Sequence, residues 1–261
     1  MEFQMIDGER QGMVLRVERA SIHDGDGLRT VVFFKGCPLR CQWCSTPESQ
    51  SFAQEKAADC VYGTRMSVAE VIREIRKDSL FYFLSTGGVT ISGGEIMSQP
   101  EFALAILRNC KKECFNTAVE TSLFGPWENM EAMVPYINTI YADLKIVHSG
   151  LHKQYCGVDN GLILENIKRA GDAAGKGLRL VLRTPIIPGI NDSEEELRRM
   201  GEFCAGVNNL SHVQLLPYHR LGTATYEKLG RAYPLPDIKS PAWEHMEKCR
   251  EVLRGYVGKV I

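Results

Sequence analysis

Residues 36–47 read Gly-Cys-Pro-Leu-Arg-Cys-Gln-Trp-Cys-Ser-Thr-Pro, so Cys37, Cys41 and Cys44 follow a CxxxCxxC spacing. Three thiols this close do not suit separate helical or strand positions. They suit a loop wrapped around one metal centre. Thiolates are soft donors that select zinc or iron–sulfur. A structural zinc site takes four ligands, commonly as two pairs; the fourth here would be Cys60 or a distant His. A cluster that also binds a substrate needs the reverse, three protein ligands and one iron left open. The spacing therefore favours an iron–sulfur cluster and keeps zinc as the alternative. The chain has nine cysteines. An odd number without a secretory start argues against a disulfide framework. Cys60, Cys110, Cys114, Cys156, Cys204 and Cys249 are scattered, and scattered cysteines read as small buried hydrophobes.

The remaining chemistry-bearing residues sit where predicted strands end. Gly36-Cys37 follows Val31–Phe34, and Gly93-Gly94-Glu95 follows Val89–Ser92. Glu120-Thr121-Ser122 and Asp143-Leu144-Lys145 close the next two strands. Arg183-Thr184-Pro185 and Leu216-Pro217-Tyr218-His219 close the last two. In parallel α/β folds the carboxyl ends of the strands share one face, and ligands bind there. A single polar motif after a strand is unremarkable; an ordered series of them predicts one site.

The elements that position these motifs alternate. Strands are expected at Met13–Ala20, Thr30–Lys35, Val89–Ser92, Thr117–Thr121, Thr139–Lys145, Leu178–Thr184 and His212–Leu216. Helices are expected at Ser67–Leu84, Pro100–Glu113, Pro126–Val134, Gly161–Ala174, Ser193–Ala205 and Pro241–Tyr256. The first of these carries a capping box, with Ser67 as N-cap and Glu70 three residues on. Alternating strands and helices predict a parallel sheet with helices outside. Too few units are present for a closed eightfold barrel. The expected fold is an α/β partial (β/α)6 TIM-like barrel, with an open doubly wound sheet as second choice.

Bulk composition fits this reading. The 261 residues are 44% hydrophobic and 24% charged, as in an ordinary globular chain. The net charge of −1 offers no basic field for nucleic acid. The start, Met1–Gly8, lacks a signal-peptide pattern, and no apolar run is long enough for a membrane helix. A cytoplasmic protein without nucleic-acid or membrane partners is expected, as one domain over residues 1–261.

The ordered motifs resemble a known family. CxxxCxxC, preceded by Gly36 and with Trp43 before its last Cys, is similar to the radical SAM superfamily. Asp24-Gly25-Asp26-Gly27-Leu28-Arg29 resembles the "DGPGxR" segment of its glycyl radical enzyme activating enzymes. Gly93-Gly94-Glu95, Asp143-Leu144-Lys145 and Leu216-Pro217-Tyr218-His219 with Leu221-Gly222 resemble that family's later motifs, in the same order. Departures exist: Asp26 stands for the usual Pro, Ile96 follows Gly-Gly-Glu, and Glu120 stands where a relative has Asp. The short stretch between Cys44 and Met66 holds only Cys60, so the ferredoxin-like insert of many relatives is not expected.

The resemblance implies one 4Fe-4S cluster on Cys37, Cys41 and Cys44. S-adenosylmethionine (SAM) would chelate the open iron and be cleaved reductively to methionine and a 5′-deoxyadenosyl radical. Gly93 and Gly94 would let the backbone approach SAM, with Glu95 bracing the loop. Trp43 and His219 would face the adenosine, Ser45 would neighbour the ligand, and Lys145 or Arg183 would meet the carboxylate. Glu120, Thr121 and Asp143 match positions that hold a monovalent cation. Asp24 and Lys145 would serve the reaction itself, Asp24 near the partner's glycine loop. The implied partner is a glycyl radical enzyme, such as pyruvate formate-lyase or a diol dehydratase, with flavodoxin or ferredoxin as electron donor. A radical SAM enzyme acting on a small molecule and a non-catalytic zinc or electron-transfer protein are the competing readings.

Overall fold

The computed structural model describes residues 6–57, 60–175 and 177–261. The opening residues 1–5, read above for a targeting signal, lie outside the described residues. The chain forms two compact units. One holds Met1–Pro38, Glu48–Thr121 and Gly125–Ile140; the other holds Leu39–Pro47, Ser122–Phe124 and Tyr141–Ile261.

The first unit opens on β1 (Gln11–Ser21), antiparallel to β2 (Arg29–Phe34). A small antiparallel hairpin follows, β3 (Glu55–Ala57) and β4 (Cys60–Tyr62). Then β5 (Thr64–Ser67) returns along β1. Helices α1 (Val68–Arg76) and α2 (Ser79–Ser85) lead to β6 (Gly88–Gly93). α3 (Pro100–Lys112), β7 (Asn116–Thr121) and α4 (Trp127–Met133) follow in this unit. Its sheet order is β7-β6-β2-β1-β5, with β2–β6 and β6–β7 parallel. The central strands Thr-Val-Val-Phe-Phe and Val-Thr-Ile-Ser are buried nearly throughout, as parallel strands of α/β folds are. β1 is not part of a parallel strand–helix repeat; it lies antiparallel, and Arg16, Glu18, Arg19 and Ala20 in its later half are exposed.

The helix expected over Ser67–Leu84 is two helices. The capping box forms as expected, with Ser67 Oγ accepting from Glu70 N and Glu70 accepting from Ser67 N. Its apolar stripe, Val68, Val71, Ile72 and Ile75, is buried. The break falls at Asp78, whose carboxylate accepts bonds from Arg19 and from Thr30 Oγ1 (2.7 Å). Tyr82 of α2 donates back to the Ile75 carbonyl at 2.9 Å. Tertiary partners thus cut a stretch whose side-chain pattern could continue as helix.

β8 (Thr139–Asp143) begins in the first unit and ends in the second. The second unit then holds α5 (Ser149–Cys156), α6 (Gly161–Ala173), β9 (Arg179–Ile186), α7 (Glu194–Ala205), β10 (Leu210–Pro217), α8 (Thr223–Lys228) and α9 (Trp243–Arg254). β9 and β10 are parallel, with Arg183 opposite Gln214 and Thr184 opposite Leu215. α5 was not expected from the sequence. His148 Nδ1 caps it by accepting from Leu151 N, and Gly157, at φ +85°, ends it. The sheet is mostly parallel, and the α/β class matches the sequence reading.

Candidate functional site

In the first unit, the entry to the cysteine motif is fixed by backbone bonds. After β2, Gly36 N donates to Ser49 O at 2.7 Å and Cys37 N to Gln50 O at 3.2 Å. Lys35, with a fully buried side chain, donates to the Glu48 carbonyl and to Glu55 Oε2 at 2.7 Å. The loop after β6 is tied to the same place: Gly94 N donates to Phe34 O and Glu95 N to Gly36 O, both at 2.9 Å. A Cβ on Gly94 would stand 2.3 Å from Gly36 O, and one on Gly93 would stand 2.5 Å from Phe34 N. Gly93 also has φ +107°, a conformation that favours glycine. The clearance these glycines provide is therefore used by the chain's own backbone.

Glu95 is 1% exposed and turned inward. Its Oε1 accepts from Met97 N (3.0 Å) and from Thr121 Oγ1 (2.6 Å). Glu120 Oε2 accepts from Ser92 Oγ at 2.6 Å. The first unit thus brings together Gly93, Gly94, Glu95, Glu120, Thr121 and the root of Cys37. Asp24 sits on the separate turn after β1. Its Oδ2 accepts from Ser21 Oγ, and its carbonyl accepts from Thr90 Oγ1 at 2.7 Å. The buried Arg29 secures that turn by donating to Asp26 O, Thr90 Oγ1 and Val89 O.

In the second unit, Cys41 and Cys44 lie half-buried on an irregular loop, with Trp43 between them and 8% exposed. Arg40 N donates to Cys156 O at 2.8 Å and Gln42 N to Tyr155 O at 2.9 Å. The loop is thus seated on the carbonyl end of α5, where helices leave acceptors unsatisfied. Ser45 is exposed on the far side of Cys44. A Cβ on Gly222 would come within 2.7 Å of Cys44 O, so the Leu221-Gly222 segment lies against this loop.

Electrostatics distinguish the two thiols. A hydrogen bond with the Cys156 thiol holds the Cys41 thiol below its ordinary value, and the Lys145 ammonium adds to this. Burial, followed by the charge of Cys41, pushes Cys44 up to about 11. Lys145 Nζ donates to Asp143 Oδ2 at 2.6 Å. Burial pulls the Lys145 ammonium down, but Asp143 and Cys41 outweigh it and raise the net value. Cys41, Asp143 and Lys145 are therefore electrostatically linked. Arg183 stacks 3.8 Å above the Tyr141 ring and donates to Gln214 Oε1 at 2.8 Å. His219 is exposed, its Nδ1 accepting from Leu221 N.

The structure adds residues that sequence reasoning passed over. Asn191 donates to Lys145 O and Pro185 O, both at 2.8 Å, holding the strand end that carries Lys145. Lys35 and Cys156 support the cysteine loop. A charged residue beside Gly36-Cys37 was the available signal for Lys35; Cys156 had none beyond its type.

Comparisons with known proteins bear on this arrangement. Residues 31–201 match the radical SAM superfamily. The isethionate sulfite-lyase activating enzyme of Nitratidesulfovibrio vulgaris is 36% identical, over 95% of this chain and 96% of that protein. The indoleacetate decarboxylase activating enzyme of Tractidigestivibacter scatoligenes is 32% identical, over 98% of each chain. This chain belongs to the activating enzymes of the radical SAM superfamily. Among solved structures, a domain of a Bacteroides vulgatus pyruvate-formate lyase-activating enzyme superposes with a TM-score of 0.56 at 30% identity. That match covers 67% of this chain and 98% of the domain.

Radical SAM membership implies a 4Fe-4S cluster and SAM. Among the described residues, no three His, Cys, Asp or Glu side chains stand grouped as a metal site. The fit therefore rests on donor chemistry. Cys37, Cys41 and Cys44 form no disulfide and lie on one short irregular stretch, and Cys41 is biased toward the thiolate that iron requires. For a radical SAM activating enzyme this donor set is suitable. No helix among the described residues is long and apolar enough to cross a membrane.

Proposed function

We propose that this chain activates a glycyl radical enzyme, removing a hydrogen atom from one glycine of that protein. What carries the reading is the full-length likeness to activating enzymes, joined to a CxxxCxxC loop whose donors suit a substrate-binding cluster. When bound, the cluster and SAM supply the electron and the 5′-deoxyadenosyl radical; the protein binds, orients and excludes water.

The residues then have separable tasks. Cys37, Cys41 and Cys44 hold the cluster. Gly94 and Glu95 lock the Gly-Gly-Glu loop to the root of Cys37, through bonds of 2.9 Å to Phe34 O and Gly36 O. Lys145, kept charged by Asp143, is suited to a carboxylate, as is Arg183. Trp43, Ser45 and His219 are assigned to SAM on family likeness. Glu120, Thr121 and Asp143 are assigned a monovalent cation on the same ground. Asp24 is assigned to the partner's glycine loop, and its half-exposed position on a braced turn supports that role.

The chain works as a single radical SAM domain with one cluster. In support, the isethionate relative aligns over 300 positions against the 261 residues here, so that relative has residues this chain lacks. A flavodoxin or ferredoxin would supply electrons in an anaerobic cytoplasm. The test is anaerobic reconstitution with iron and sulfide, then dithionite, SAM and a candidate partner. Expected are a brown protein with about four irons per chain, 5′-deoxyadenosine, and the doublet EPR signal of a glycyl radical. A zinc-loaded protein that leaves SAM intact would refute the reading.

A further inference from the structure

Helix α2 carries its apolar residues on the outside. Leu80, Phe81, Phe83 and Leu84 are between 46% and 75% exposed. With about 3.6 residues per turn, Phe83, Leu80, Leu84 and Phe81 follow one another round the helix, opposite the buried Tyr82. An ordinary surface helix shows the reverse, with polar side chains toward water. No charged residue occurs between Asp78 and Glu95 to break the patch. The helix is also bonded at both ends to the stretch that carries Asp24. At its start, Asp78 accepts from Arg19 Nε at 2.9 Å. At its end, Ser85 Oγ accepts from Leu28 N at 2.9 Å, and a Cβ on Gly27 would stand 2.3 Å from Ser85 O. Ile22, two residues before Asp24, is 65% exposed. All of these residues belong to the first unit, and the α2 face and the Asp24 turn border each other.

Together Ile22 and the four α2 side chains present roughly 500 Å² of apolar surface. Patches of about 300–600 Å² on single chains are often functional. A stable dimer needs about 800 Å² from each copy, which this face alone does not supply. It suits the apolar centre of a wider interface, completed by the turn beside it. We propose that the α2 face and Ile22 dock the glycyl radical enzyme, against an apolar and uncharged area of that partner's surface. This rests on the reading that the chain is an activating enzyme whose Asp24 turn meets that partner. A charged area would not fit, because its hydration would be lost with no opposite charge to meet it. β2 starts beside this turn, and Cys37 follows its other end. The patch therefore governs affinity for the partner and leaves SAM cleavage untouched.

The test uses the full chain reconstituted with iron and sulfide. The probe is the whole glycyl radical enzyme that gains the EPR doublet with the unaltered chain. Leu80→Lys combined with Leu84→Lys is compared with Leu80→Ala combined with Leu84→Ala, and with Trp243→Lys, a similarly exposed apolar site on α9. Expected for the Lys pair is a KM for the partner raised about tenfold or more, with kcat and partner-free SAM cleavage within about twofold. The Ala pair moves KM the same way by less, Trp243→Lys leaves it unchanged, and every variant keeps the Tm of the unaltered chain. A KM unmoved in the Lys pair overturns the proposal. So does an equal rise in Trp243→Lys, which would make the effect one of added charge, and so does loss of partner-free SAM cleavage, which would make it structural. A dimer of the unaltered chain in sedimentation, broken by the Lys pair, also overturns it and assigns the face to a second copy. If no glycyl radical enzyme gains a doublet with the unaltered chain, the underlying reading falls and the proposal with it.

Discussion

Gly94→Ala separates two explanations of the Gly-Gly-Glu loop. If the glycine exists to let a ligand approach, added bulk costs SAM affinity and leaves the apoprotein stable. The structure gives a different cause. The new methyl would sit 2.3 Å from Gly36 O and 2.8 Å from Gly36 C. That is roughly 1 Å inside ordinary contact, and the obstacle is backbone, which cannot rotate away. Gly36 is also held by its bonds to Ser49 O (2.7 Å) and from Glu95 N (2.9 Å). Overpacking of this kind costs about 1–3 kcal/mol. For a chain of this size that is a fall in Tm of about 2–12 °C. The assay is thermal unfolding of the apoprotein by circular dichroism, with iron retained after reconstitution as a second reading. Gly94→Ala should melt lower and, because Gly36 precedes Cys37, retain less iron. An apoprotein with unchanged Tm and full iron, but weakened SAM binding, would refute the packing argument and restore the ligand one.

Asp78→Asn tests the break between α1 and α2. Burial alone would raise this carboxyl, but the bonds from Arg19 and Thr30 outweigh it and hold it below its ordinary 3.8. A depressed carboxylate contributes stability above the unfolded value and loses it as pH falls through the folded one. The variant should lose about 1–3 kcal/mol at pH 7 and show a flatter decline below pH 4 in denaturant titrations; an unchanged slope would count against the assignment. Lys35→Met leaves Glu55 and the Glu48 carbonyl without their cation, so destabilisation of about 3–5 kcal/mol is expected, measured by urea unfolding. Asp24→Ala should reduce radical installation in the partner by an order of magnitude or more, while SAM cleavage without partner stays within about twofold. Equal losses would place Asp24 in SAM binding instead.

Much of the frame was legible because local signals and burial agreed. β2 and β6 are apolar runs bounded by turns, and both are buried parallel strands. Ser67 and Glu70 form the capping box that their spacing announces. The break at Asp78 was not legible, since Arg19 and Thr30 are distant in sequence and only the fold supplies them. α5 was missed because it is short, contains Gly150, and depends on an unusual His148 cap. The antiparallel placing of β1 was hidden for a different reason: a strand's own pattern does not say which way its neighbour runs. Among site residues, chemistry was readable but neighbours were not. Glu95 reads as polar and loop-borne, yet it is buried and shared between Met97 and Thr121. Cys156 reads as core filling until the bond from Arg40 N to its carbonyl is seen.

The paired bonds from Gly36 to Ser49 and from Cys37 to Gln50 pinch the base of the intervening stretch. Confining a dozen residues between fixed ends costs roughly 2 kcal/mol plus a constant. Here backbone bonds within the protein contribute to meeting that entropic cost. Maturation can then run in two stages, polypeptide first and mineral second, unlike small zinc modules that collapse only around their ion. Chelators should accordingly bleach such a protein without unfolding it, and the bleached form should accept iron again.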